Sequence, residues 1–123
     1  MPLWIPVASL DDLPVGGLLR VVVQGKGVVL ARTAERVYAC QGTCPHEMAD
    51  LGAGRLDGRH LACPRHRARF DLEDGSVSAG WGVPKLQLYR VEVANGVVHV
   101  DGDAVTRAAG GSRKIWDLTG RET

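Results

Sequence analysis

Two short stretches, Cys44-Pro45-His46 and Cys63-Pro64-Arg65-His66, constrain this chain more than anything else in it. Each offers one thiol and one imidazole, and sixteen residues lie between His46 and Cys63. Soft thiolates and imidazoles in two matched short loops read as a metal site. A zinc finger usually groups its cysteines in one arm and its histidines in the other. Here each arm is mixed, which argues against zinc while leaving a structural zinc module as an alternative.

The mixed arrangement suits a binuclear cluster in which Cys44 and Cys63 hold one iron and His46 and His66 hold the other. On these residues the chain resembles the Rieske-type 2Fe-2S ferredoxins, and the likeness extends beyond the loops. In that family a leucine and spaced glycines follow the first ligand loop, then a turn and a strand lead into the second. This chain has Leu51, Gly52, Gly54, Asp57-Gly58 and His60-Leu61-Ala62-Cys63 in those places. Phe70 to Gly75, then Leu86, Leu88, Tyr89, Val91 and Val93, and finally Asn95-Gly96-Val97-Val98-His99-Val100 resemble the family's closing strands. The similarity runs from about residue 2 to residue 101.

The resemblance implies an all-β fold, a small antiparallel barrel or sandwich with a cluster-binding subdomain inserted between strands. It implies a domain over 1–102 and one 2Fe-2S cluster bound by Cys44, His46, Cys63 and His66, with 103–123 expected as a C-terminal tail outside the resemblance. It further implies a soluble one-electron carrier between a flavin-dependent ferredoxin reductase and a terminal oxygenase. That oxygenase is a diiron monooxygenase or a ring-hydroxylating dioxygenase: the non-glycine residue after His66 resembles the first group, and the ligand spacing is shared with the second. The small subunit of an assimilatory nitrite reductase is the alternative. High-potential relatives place a serine and a tyrosine soon after the second histidine, where this chain has Arg67, Ala68, Arg69 and Phe70. A potential in the lower part of the Rieske range, about −150 to +300 mV, is therefore expected.

Composition agrees with one compact domain, since a chain of 123 residues can bury roughly two thirds of its unfolded surface. Fifteen basic and fourteen acidic side chains leave a net charge of +1, which demands neither nucleic acid nor an anionic membrane. With two cysteines assigned to metal, Cys40 has no internal disulfide partner, and a reducing compartment is the natural setting. No basic residue precedes the apolar stretch at the start, and no run approaches a membrane span, so a cytoplasmic protein is expected. A terminal oxygenase would need a second, catalytic iron with its own two histidines and a carboxylate; beyond the two ligand histidines only His60 and His99 remain, both in strand-like contexts, and the chain leaves no room for a catalytic domain. No nucleophile with a plausible base and no phosphate-binding glycine loop stands out. The chain is expected to be a carrier and no enzyme.

Locally, valine-rich residues 17–23 and 27–33 flank Gln24-Gly25-Lys26-Gly27 as a hairpin, residues 36–40 form a further strand, and Asn95-Gly96 is the strongest turn. Between Leu86 and Val93 the apolar phase slips, which predicts a bulge near Leu88. Cys40 reads as a small buried hydrophobe, and His60 and His99 as surface or packed histidines. Trp81, between two glycines, lies in a stretch corresponding to the loop that covers the cluster in the family; it is expected to shield the cluster or meet a partner, with plain core packing as the alternative. Arg55, Arg59, Arg65, Arg67 and Arg69 suggest a basic tip that Asp71, Glu73 and Asp74 could cancel. From Asp101 onward, with Ala108-Ala109-Gly110-Gly111-Ser112 and the apolar Ile115, Trp116 and Leu118, a loosely held terminus is expected.

Overall fold

The computed structural model describes residues 3–44, 49–64, 68–78 and 85–108. Within them the strands are β1 (Trp4–Ser9), β2 (Leu18–Val23), β3 (Lys26–Arg32), β4 (Val37–Gln41), β5 (Arg55–Asp57), β6 (His60–Ala62), β7 (Arg69–Asp71), β8 (Leu88–Tyr89), β9 (Val91–Ala94) and β10 (Val97–Asp101), followed by the helix α1 (Gly102–Ala108). All pairings are antiparallel, in three sheets of order β1-β10-β9, β2-β3-β4-β8 and β5-β6-β7. The all-β expectation holds, and no helix among the described residues is long and apolar enough to cross a membrane.

Turn chemistry sets the two sharpest hairpins. Gln24 and Gly25 both adopt left-handed backbone, at φ 53° and 78°, and Asn95 and Gly96 do the same at 54° and 75°. Two consecutive positive φ values make the two-residue turn whose twist matches its flanking strands. The first hairpin zips from Val23 opposite Lys26 back to Leu18 opposite Ala31, so the turn is tighter than the Gln24–Gly27 span suggested and Lys26 and Gly27 already belong to β3. The second pairs Ala94 with Val97.

β3 is buried on both faces, which explains why it reads as an unbroken apolar run. Val28 and Leu30 join Leu13, Val23, Ala39, Val98, Val100 and Val105 in a core between the two larger sheets. Val29 and Ala31 face the other way, with Cys40 of β4, into a second core holding Cys44, Leu51, Leu61, Cys63, Ala68, Phe70 and Leu72. Phe70 is fully buried there, a placement that contributes about 1.5–3 kcal/mol.

β4 and β8 are neighbours, with Ala39 opposite Tyr89 and Cys40 opposite Leu88. The chain between them therefore leaves and returns through adjacent strands, carrying the small sheet β5-β6-β7 as the inserted subdomain that the resemblance implied. The phase slip after Leu86 has a different cause from the expected bulge near Leu88. At Arg90 the chain passes from the β8 sheet to the β9 sheet, and the Arg90 carbonyl accepts from the Asp101 amide at 3.1 Å. A register shift does occur elsewhere, between Pro6 and Ala8 of β1.

The stretch after Asp101 begins as α1 rather than as a loose terminus. Val105 is fully buried, and the Asp101 carboxylate accepts from the backbone of Asp103 at 3.1 Å, Ala104 at 3.4 Å and Leu3 at 3.2 Å. Ile115, Trp116 and Leu118 lie outside the described residues.

Candidate metal centre

The two cysteines occupy equivalent places in two equivalent hairpin ends. Coming off β4, Thr43 forms a bridge with Asp50, and the Cys44 amide donates to the Ala49 carbonyl at 2.8 Å. Between β6 and β7, the Cys63 amide donates to the Ala68 carbonyl at 3.0 Å, the same interval from cysteine to alanine. Cys44 is fully buried and Cys63 is 5 % exposed, and both belong to one apolar cluster with the two alanines.

Outside each loop the next residue is charged and tied to a distant strand. Asp50 pairs with Arg20 of β2 at 3.1 Å, and Arg69 pairs with Asp57 of β5 at 2.8 Å. Arg59 grips Asp71 through two hydrogen bonds of 2.8 and 2.9 Å. The Arg59 guanidinium is the main cause holding the Asp71 carboxyl below the usual carboxylate range, helped by the Glu73 amide. Two of the five arginines expected to make a basic tip are thus matched by carboxylates. Arg65 and Arg67 lie outside the described residues, as do His46, His66 and Trp81.

Among the described residues no three of His, Cys, Asp and Glu gather as a metal-holding group, so Cys44 and Cys63 are the described half of the expected ligand set. Cys40 takes no part in the loops. It is fully buried on β4, and burial pushes its thiol up to about 12, as befits a packed hydrophobe. His60 is a surface residue, 4.0 Å from Asp71, and His99 sits in β10 opposite Pro6 and Glu92 with its Nδ1 buried. A surface concavity of about 650 Å³ borders Cys63, between Gly54, Arg55, Pro64 and Arg69. The larger groove, about 750 Å³, runs along Arg32 to Ala39 and Leu88 to Val93 and contains neither loop thiol.

Reading the sequence missed the closing alanines and Arg20. The alanines had a signal, since Cys-Pro-His-Glu-Met-Ala and Cys-Pro-Arg-His-Arg-Ala share the interval from cysteine to alanine. A Rieske cluster takes two thiolates on one iron. Two thiols at matched positions of two closed loops, shielded by Leu51, Leu61 and Phe70, fit that requirement.

Comparison with known proteins agrees. The Rieske [2Fe-2S] domain family matches residues 3–90. The ferredoxin component of the naphthalene 1,2-dioxygenase/salicylate 5-hydroxylase systems of Ralstonia sp is 35 % identical over 92 residues, 75 % of this chain and 88 % of that one. Among solved structures, the complex of reduced oxygenase and oxidised ferredoxin in carbazole 1,9a-dioxygenase contains a chain 31 % identical to this one, with a TM-score of 0.75 over 83 % of this chain and 95 % of that one. A protein described as a nitrite reductase NADPH small subunit is 25 % identical, with a TM-score of 0.70 over 80 % of this chain and 97 % of that one. The chain belongs to the Rieske 2Fe-2S domain family, and its cofactor is one Rieske-type cluster.

Proposed function

We propose that this protein is the electron-carrying ferredoxin of a multicomponent oxygenase system, receiving electrons from a flavin-dependent reductase and delivering them to the terminal oxygenase. Cys44 and Cys63 hold one iron, and His46 and His66 hold the other. When bound, the cluster supplies reversible one-electron transfer. The observation that carries the assignment is the matched closure of the two cysteine loops, by Cys44 to Ala49 and Cys63 to Ala68, within one apolar cluster.

The chain's own residues set the conditions for that transfer. The two amide-to-carbonyl bonds fix the backbone at each thiol. Leu51, Leu61, Phe70 and Leu72 keep water from the thiol side, and such an apolar shell governs the potential of a site. The relatives named for dioxygenase systems favour the ring-hydroxylating class over a diiron monooxygenase. A nitrite reductase small subunit would share fold and cluster, and the neighbouring genes discriminate it.

Purified protein is expected to hold two irons and two acid-labile sulfides per chain, and to take up one electron. Alanine at Cys44, His46, Cys63 or His66 should each abolish the visible and paramagnetic resonance spectra, whereas Cys40→Ser should leave them intact. Zinc in a colourless protein would overturn the cluster, and iron lost in Cys40→Ser would overturn the ligand set.

A further inference from the structure

Arg20 lies on β2, 22 residues before Gly42, yet its side chain reaches the stems of the first cysteine loop. Nη1 donates to the Gly42 carbonyl at 3.2 Å on the side leading in, and to Asp50 Oδ1 at 3.1 Å on the side leading out. Both acceptors also serve the local backbone: Gly42 accepts from the Leu51 amide at 2.9 Å, and Asp50 Oδ1 from the Gly52 amide at 2.8 Å. A single nitrogen therefore ties together the two ends of the segment that carries Cys44.

Glycines border this side chain. A Cβ on Gly27 would come within 2.5 Å of Nη2, whereas one on Gly42 would meet the Gly27 backbone at 2.8 Å as well as Nη1 at 2.9 Å. One on Gly52 would stand 3.3 Å from the Arg20 Cβ. The ion pair itself is partly exposed, 43 % at Arg20 and 50 % at Asp50, and such pairs are worth about 1 kcal/mol at most. So small an energy points away from stability as the main role of this contact. Position points instead to the loop: Gly42 precedes Cys44 by two residues, and Asp50 follows the closing Ala49 by one.

We propose that Arg20 is a positioning residue for Cys44, holding the two stems of the first loop so that the thiol is presented to iron in one geometry. The proposal rests on Cys44 being a cluster ligand. Residues that orient metal ligands from outside typically change metal affinity about 10–100-fold when removed. Lysine should substitute in part, because both contacts come from one nitrogen and an ammonium carries three donors.

The test compares cluster-loaded wild type with Arg20→Ala, Arg20→Lys and Cys44→Ala. Arg20→Ala should release iron to excess chelator about tenfold faster or more. Its resonance lines in the reduced state should shift, while circular dichroism stays that of the wild type. Arg20→Lys should move both readings back toward wild type. Added salt should speed release from wild type by screening the exposed pair, a measurement that still decides if Arg20→Ala does not load. Unchanged release and spectrum in Arg20→Ala, or wild-type release indifferent to salt, would overturn the positioning role. Iron retained in Cys44→Ala would instead overturn the ligand assignment, and the proposal with it.

Discussion

Asp101 is a buried carboxylate, 3 % exposed, at the junction of β10 and α1. Burial works against its charge, but the amides of Leu3, Ala104 and Asp103 outweigh it and hold the carboxyl below the usual range. An oxygen that caps a helix in this way is worth about 0.5–2 kcal/mol against alanine, and Asp101→Ala should lose that much in urea denaturation. Because the folded pKa lies below the unfolded value of about 3.9, the charge stabilises the fold above that value and the contribution disappears as pH falls through the folded one. Asp101→Asn keeps an acceptor and cannot ionise, so the stability gap between wild type and Asp101→Asn should narrow on acidification from pH 7 to pH 3. A constant gap would remove this account. Roles of this kind are uneven in the sequence. Cys40 was legible because an apolar strand surrounds it, whereas Arg20 was not, since its partners lie 22 and 30 residues away and one of them is a backbone carbonyl.

Between strands, the short 3₁₀ turn Leu51–Ala53 joins the Cys44 and Cys63 halves of the candidate metal centre. Asp50 caps it through the Gly52 amide, and Gly54 at its end lies directly on the Ala62 carbonyl, one residue before Cys63. A methyl group at Gly54 has no room. Gly54→Ala should cost about 1–3 kcal/mol, the usual range for overpacking, and should lower the iron retained on purification. Native stability with full iron content would show that the turn and β6 can separate without consequence. The hairpins were legible in the sequence because a turn such as Asn95-Gly96 declares itself locally. The slip after Leu86 was visible but misread: an extra residue within a strand and a change of sheet at Arg90 leave the same apolar pattern, and only the partner strands distinguish them.

At the scale of the molecule, two cores divide the labour. One, around Val28, Leu30, Val98 and Val105, contains neither loop cysteine, and the other contains both. Metal binding is coupled to folding where the ligands are. Removing iron should therefore raise amide hydrogen exchange in β5, β6 and β7 while β3 and β10 keep their protection. Equal loss everywhere would mean that the cores unfold as one. The inserted region looks easy to graft elsewhere, because it departs and returns through neighbouring strands. It is anchored by the outer face of β3, where Val29 and Ala31 with Cys40 of β4 form its floor. Excising it would leave an oily patch exposed to water, and a host scaffold could receive it only by offering an apolar floor of the same shape.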